Sequence, residues 1–236
     1  MNQHTKTILS GSYKEVSVIK LYGIPISNNV NKVRYCLNSL GIEYDLIPIN
    51  PMQGENQTES FLKINPIGKI PALDDNGFAI FESNAIIKYL ATKYNSALYP
   101  QDLKQRTIVD EWIDFVSIHI GNGITRVMFN RLMAPMLGKE VDQNSLQAGL
   151  EFLAKYLPLC DHQLAKNKYI TGANFTLADI NLLAVIDPCE IIQVPLISYP
   201  NLTKWRNNLK SQPFYQKCYK DYGPFVQEML SAKTAR

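Results

Sequence analysis

The stretch Lys69-Ile70-Pro71-Ala72-Leu73, with Phe81-Glu82-Ser83-Asn84-Ala85-Ile86 eight residues further on, decides the reading of this chain. Pro71 has no backbone N–H and suits the first residue of a strand. Ile70, just before it, is pushed into an extended conformation. Its own N–H and C=O then point at whatever lies alongside, as when a peptide is recognised by strand addition. Asp75-Asn76-Gly77 predicts a hairpin turn between strands at 71–74 and 78–81. Glu82 can accept from an ammonium group. Ser83 occupies the place of a helix N-cap, where free N–H groups attract a carboxylate. An acceptor for an amine beside donors for a carboxylate makes a receptor for an α-amino acid head group, carried here by a small peptide.

Upstream, residues 16–23 (Val-Ser-Val-Ile-Lys-Leu-Tyr-Gly) read as the first strand, with Ile19 and Leu21 on one face and Lys20 and Tyr22 on the other. A loop over 25–29 leads into a helix with Val30, Val33, Leu37 and Leu40 on one stripe, stopped by Gly41. A second strand follows at 44–49. Two apolar strands joined through a helix lie parallel, with a right-handed crossover. A polar loop at 53–58, a short helix at 59–64, the hairpin and a helix over 84–94 complete a β-α-β-α-β-β-α unit, residues 16–94. Residues 1–15 read as a loose tail and 95–101, with Asn95, Ser96 and Pro100, as a linker. From 102 to 236 only helical patterns occur, at 102–133, 142–165, 176–193, 199–209 and 213–221. Thr176-Leu177-Ala178-Asp179 has the form of a capping box and opens an apolar helix, the predicted centre of a second core.

The 236 residues suffice for one large or two small cores. Apolar residues make up 46% and charged residues 19%, the composition of a globular chain. A net charge of +3 without a basic cluster does not point to nucleic acid. No apolar run reaches the ~18 residues that span a bilayer, and positions 1–12 lack the apolar core of a secretory signal. Cys36, Cys160, Cys189 and Cys218 form no CxxC pair and no metal-ligand spacing with His4, His119 or His162. They read as reduced thiols of a cytoplasmic protein that holds no metal.

The element order, the Ile70-Pro71 pair, Glu82-Ser83-x-Ala85-Ile86 and the Thr176 to Asp179 box together resemble a cytosolic glutathione transferase. The likeness runs from Val18 to Tyr219. Lys20-Leu21-Tyr22-Gly23-Ile24-Pro25-Ile26-Ser27-Asn28-Asn29-Val30 is similar to the serine-type classes, phi first, then theta and delta. The resemblance implies a thioredoxin-like domain that binds glutathione, an all-helical domain that lines a pocket for a second substrate, and a homodimer. It also implies a cis bond before Pro71.

On that resemblance, Ser27 is the catalytic residue. Its hydroxyl holds the glutathione sulfur as a thiolate for attack on a hydrophobic electrophile. A thiol near pKa 8.5 needs roughly 2.7 kcal/mol to fall by two units. A hydrogen bond to a charged acceptor supplies about 1.5–3 kcal/mol, and a helix N-terminus about 0.3–2 kcal/mol. By position alone Ser27 reads first as an N-cap, and the surrounding motif favours the thiolate role; Tyr22 is the rival hydroxyl. Ile70 and Pro71 take the cysteinyl unit, Glu82 and Ser83 the γ-glutamyl end, and Lys69 and Asn56 the glycyl end. Asn56 and Gln57 stand where the phi and theta pattern has histidine and lysine, and Asn84 where many members have arginine. Phe115, His119, Met128 and Phe129 are candidates for the second-substrate pocket, although a methionine and aromatic stripe at helical spacing is more often core. A binding or scaffold module without the reaction, and a glutathione-dependent peroxidase, are the competing functions.

Overall fold

The computed structural model describes residues 19–234, with side chains through residue 228; the tail at 1–15 and the predicted strand residues 16–18 lie outside the described residues. Strand β1 (Ile19–Tyr22) buries Ile19 and Leu21 and exposes Lys20. Helix α1 (Asn28–Leu40) starts at Ser27 and ends on Gly41, whose φ of 69° is the left-handed stop the sequence predicts. Strand β2 (Tyr44–Ile47) pairs parallel with β1, Leu21 opposite Leu46. Two 3-10 turns, Pro51–Gln53 and Glu55–Gln57, shape the loop at 53–58, and α2 (Glu59–Leu62) follows.

Strands β3 (Ala72–Asp75) and β4 (Phe78–Phe81) are joined by Asn76 and Gly77 at φ 57° and 85°, the backbone that an Asn-Gly turn favours. The third strand starts one residue later than the sequence predicts, because Pro71 belongs to the cis Ile70-Pro71 bond that precedes it. The sheet order is β2-β1-β3-β4, with β3 antiparallel to both neighbours. Helix α3 (Ser83–Lys93) packs beside α1, completing a thioredoxin-like domain.

The second domain is all helical. The single helix predicted at 102–133 is a rod in three parts, α4 (Leu103–Phe115), α5 (Gly121–Met128) and α6 (Ala134–Met136). They are joined by π-turns at Val116–Ile120 and Phe129–Met133. Helix α7 (Gln143–Lys166) is capped by Asp142, whose carboxylate accepts from Ser145 N at 2.9 Å. It lies close on α5, where a Cβ on Gly123 would stand 3.0 Å from the Gly149 carbonyl. Helix α8 (Leu177–Ile186) is buried on every side and packs on α1 and α4. It stops well short of 193, because Pro188 opens a 3-10 turn that lacks the N–H to continue it. Helix α9 (Pro200–Lys210) precedes α10 (Pro213–Thr234), which runs past the predicted end at 221 and through Pro224. Tyr215, Cys218, Tyr222 and Val226 bury one face of α10, which offsets the hydrogen bond that proline removes.

The two domains share one continuous core. At its rim, the hydroxyls of Tyr215 and Tyr222 each donate to Asp187 at 2.8 Å, and Tyr35 of α1 reaches both Asp187 and Tyr222. This cluster ties α10 and the end of α8 to the first domain.

Candidate active site

The β1–α1 turn carries Ser27. Gly23 N–H donates to Ile47 at 3.0 Å, Ser27 N–H to the Ile24 carbonyl at 3.1 Å, and the Asn31 amide to the Pro25 carbonyl at 2.7 Å. The turn is thereby fixed to the sheet edge and to α1. Ser27 caps α1, its Oγ accepting from Val30 N at 3.4 Å. That leaves its hydroxyl hydrogen available to an acceptor outside the helix. Gly23 has φ 153°, and a Cβ there would lie 2.4 Å from Val30 Cγ2 and 3.5 Å from Ile70 Cβ. Gly23→Ala is therefore expected to destabilise the fold by about 1–3 kcal/mol through overpacking and to displace Ser27. Thermal unfolding and KM for glutathione check this; an unchanged midpoint with unchanged KM refutes it. Tyr22 packs against Phe61 with ring centroids 6.2 Å apart, and burial together with the Asp74 charge raises its pKa.

The second wall of the site is the turn before β3. Pairing with β1 begins at Ala72, opposite Tyr22, so the ladder between these strands does not extend to Ile70. The Gly68 carbonyl accepts from Asn56 Nδ2 at 2.6 Å and Gln57 Nε2 at 3.4 Å, and the Lys69 carbonyl from Asn65 Nδ2 at 2.6 Å. Asn56 and Gln57 thus brace the turn from behind. Asn56 retains one N–H for a ligand. The Lys69 side chain is exposed.

The third wall corrects the sequence reading. Glu82, not Ser83, is the N-cap residue of α3; Ser83 is the first helical residue. Glu82 has φ 68° and ψ 111°, a conformation costly for a residue with a Cβ, and its side chain makes no capping bond. The helix starts with Ile86 N donating to Glu82 O, and no cap side chain serves the N–H groups of its first turn. Ser83 Oγ lies 3.5 Å from Asn29 Oδ1. The starts of α1 and α3 are therefore linked through Asn29 and Ser83, two residues from Ser27 and one from Glu82.

Three residues in this wall escaped the sequence reading. Lys32 of α1 is 3% exposed and donates to Ser83 Oγ at 3.0 Å and Asn84 Oδ1 at 2.9 Å. Asn84 Nδ2 donates to Ser117 Oγ at 2.9 Å, and Asn181 Nδ2 to the same oxygen at 3.2 Å. Ser117 sits in the first π-turn, a geometry frequent at functional sites. The one available signal was Asn84 itself, standing where arginine is common.

The pocket candidates lie along the helical rod. Phe115 and His119 stack against Tyr156 of α7, at 5.8 and 4.6 Å between centroids, while Ser117 between them faces α3 and α8. Both pack against α7 of the helical domain. Met128 is half-buried and Phe129 exposed, further along the rod. All four cysteines are free and buried; burial raises every thiol pKa, to about 12 for Cys160, Cys189 and Cys218. No protein sulfur is poised as a nucleophile. Among the described residues no three His, Cys, Asp or Glu side chains gather as metal ligands, and no helix is long and apolar enough to cross a membrane. A surface cavity of about 520 Å³ beside Arg34, Tyr44 and Asp221 shares no residue with the three walls of the site.

A thioredoxin-like sheet with an uncapped helix start beside a cis-proline turn, joined to a helical domain, defines a class, and the comparisons agree on it. Residues 17–92 match the glutathione S-transferase N-terminal domain and residues 123–213 its C-terminal domain. The chain is 34% identical over 206 residues to glutathione S-transferase 3 of Zea mays, covering 84% of this chain and 92% of that protein. A glutathione S-transferase-I structure bound with lactoylglutathione superposes with a TM-score of 0.76 at 32% identity, over 86% of this chain and 98% of that one. A theta class enzyme of Xanthomonas axonopodis pv. citri with glutathione bound gives 0.78 at 29%, over 85% and 96%. The chain belongs to the glutathione S-transferase family.

Proposed function

We propose that this enzyme conjugates glutathione to hydrophobic electrophiles, with the Ser27 hydroxyl stabilising the thiolate. The carrying observation is the uncapped start of α3 behind the strained Glu82, held opposite the Ser27 end of α1 through Asn29 and Ser83. Free N–H groups there suit the γ-glutamyl carboxylate, and the Glu82 carboxylate suits its ammonium group. Ile70, just before Pro71, receives the cysteinyl backbone. Lys69 and the remaining Asn56 N–H take the glycyl carboxylate. The sulfur then lies at the N-terminus of α1, where Ser27 donates and the helix dipole adds to the effect. The bound peptide supplies the sulfur that the protein's buried cysteines cannot.

The enzyme is proposed to work in the cytoplasm as a homodimer. Phe78 and Phe81, on opposite faces of the edge strand β4, stay exposed in the single chain, and that edge is where a second copy would cover apolar surface. Sedimentation equilibrium tests this, and a monomer at micromolar concentration refutes it.

The test of function is retention on immobilised glutathione at low salt, followed by turnover of a chlorinated nitroaromatic with glutathione. Both are expected. Retention without turnover identifies a binding module. Turnover of an alkyl hydroperoxide but not of the aromatic identifies a peroxidase.

A further inference from the structure

A buried amine lies directly behind the proposed γ-glutamyl site. Lys32 is 3% exposed, and among the described residues no carboxylate lies within ion-pair distance of its ammonium group. Its hydrogen-bond partners are two neutral oxygens, Ser83 Oγ and Asn84 Oδ1. Buried charges are ordinarily paired, because an unpaired ion forfeits its hydration with nothing in return. The missing partner is an anion, and the uncapped first turn of α3 is where an anion fits.

We propose that Lys32 is the buried counter-charge for the γ-glutamyl carboxylate of glutathione, acting through the Ser83 hydroxyl, and that binding this carboxylate fixes a proton on the Lys32 amine. The inference rests on the glutathione reading of the site. Lys32 Nζ donates to Ser83 Oγ, which leaves the Ser83 hydrogen to be donated onward. Among the described residues its acceptor is Asn29 Oδ1, a weak one 3.5 Å away. A carboxylate at the helix start replaces that partner, and the chain ammonium, hydroxyl, carboxylate is then charge-assisted at both ends. Lys32 is a positioning residue, since it reaches the ligand through Ser83.

The surroundings of Lys32 contain little else that titrates. Ser83, Asn84, Asn29, Ser117 and Asn181 are neutral. Glu82, beyond contact, is the charged neighbour whose field acts on it. On the other elements packed against α1, Asp187 is engaged by three tyrosines and Arg206, and Asp221 by Arg34. Asp179 of α8 is engaged by backbone and Trp205 donors. Burial, opposed by Glu82, lowers the amine to about 7. An anion arriving one hydroxyl away raises it again, so between that value and its bound-state pKa the liganded enzyme binds more protons than the free enzyme. Affinity then falls as pH rises above 7.

The probe is S-methylglutathione, which has no thiol to titrate. Calorimetry between pH 6 and 9, in buffers of different ionisation heat, is expected to show proton uptake by the wild type at pH 8 and none through Lys32 in Lys32→Met. The wild type is expected to bind about ten-fold or more tighter than Lys32→Met at pH 6.5, an advantage that shrinks towards pH 9 by linkage. The ligand amine titrates equally in both, so the difference between the profiles belongs to Lys32. Lys32→Arg keeps a charge that does not titrate and is expected to bind tightly without that fall. In turnover, Lys32→Met raises KM for glutathione and leaves kcat within about two-fold. Equal affinities and parallel pH profiles for wild type and Lys32→Met overturn the proposal, as does a wild type that binds the probe without proton uptake at pH 8. A wild type that binds no S-methylglutathione at any pH overturns the glutathione reading, and this inference with it.

Discussion

Ser27→Ala is expected to lower kcat/KM for conjugation about ten-fold or more at pH 6.5. The lost hydrogen bond to the sulfur anion is worth about 1.5–3 kcal/mol, which raises the bound thiol by roughly one to two pKa units. From a bound pKa of ~6.5, the thiolate fraction at pH 6.5 falls from about a half to between about a tenth and a hundredth, a loss of roughly five- to fifty-fold. A more basic thiolate is intrinsically more reactive, with a Brønsted slope of ~0.4–0.5, so part of that loss returns. Misplacement of the sulfur, no longer held by the hydroxyl, adds to what remains. Losing the cap bond to Val30 N costs about 1 kcal/mol of stability besides. The effect on rate should narrow as pH approaches the solution pKa of the thiol, a dependence that loss of the cap alone does not produce. Tyr22→Phe, by contrast, should stay within about two-fold. The measurements are pH–rate profiles of both variants and an ultraviolet titration of bound glutathione thiolate. Full activity of Ser27→Ala at pH 6.5 removes Ser27 from the chemistry and returns it to a helix cap.

What the sequence revealed of this protein was set by local rules. Asn76-Gly77 dictates a hairpin because few other residues accept two positive φ angles. Gly41 ends α1 for a related reason, and Thr176 to Asp179 opens α8 because the motif satisfies its own backbone. Parallel pairing of β1 and β2 follows from the helix between them. What stayed hidden depends on partners far away in the chain. Lys32 lies off the apolar stripe of α1 and reads as a solvated lysine, yet its partners lie 51 and 52 residues on. Asp187, Tyr215 and Tyr222 meet Tyr35 from the far end of the sequence. The π-turns leave no compositional mark, so the sequence gives no sign that Phe115 and His119 both stack on Tyr156 of α7. The sequence puts the N-cap at Ser83, one residue too late, because Glu82 adopts a backbone that residue type rarely takes.

The largest stability effect is expected at Asp179. Its side chain is fully buried and its carboxylate accepts from Ile170 N at 2.9 Å, Thr176 N at 3.0 Å, Trp205 Nε1 at 3.1 Å and Thr176 Oγ1 at 3.2 Å. Burial raises its pKa to about 6 although these donors pull the other way, so it is ionised at neutral pH. One carboxylate therefore joins the loop before α8, the start of α8 and the indole of α9. Asp179→Ala strands three buried N–H groups at once. Each unsatisfied donor costs about 1–3 kcal/mol, and partial relaxation brings the expected total to about 3–5 kcal/mol. For a chain of this size that corresponds to a fall of roughly 10 °C in Tm. Because α8 packs on α1 and α4, the damage spreads to both domains. Unfolding is therefore expected to shift as one transition rather than split into two. Asp179→Asn retains one acceptor oxygen and turns an NH2 group towards donors, so it should recover only part of the loss. Chemical denaturation of the three proteins at pH 7 checks this order. An alanine variant within about 1 kcal/mol of wild type would mean that water or a neighbouring carbonyl takes over those donors, and that the capping box is not what anchors the helical domain.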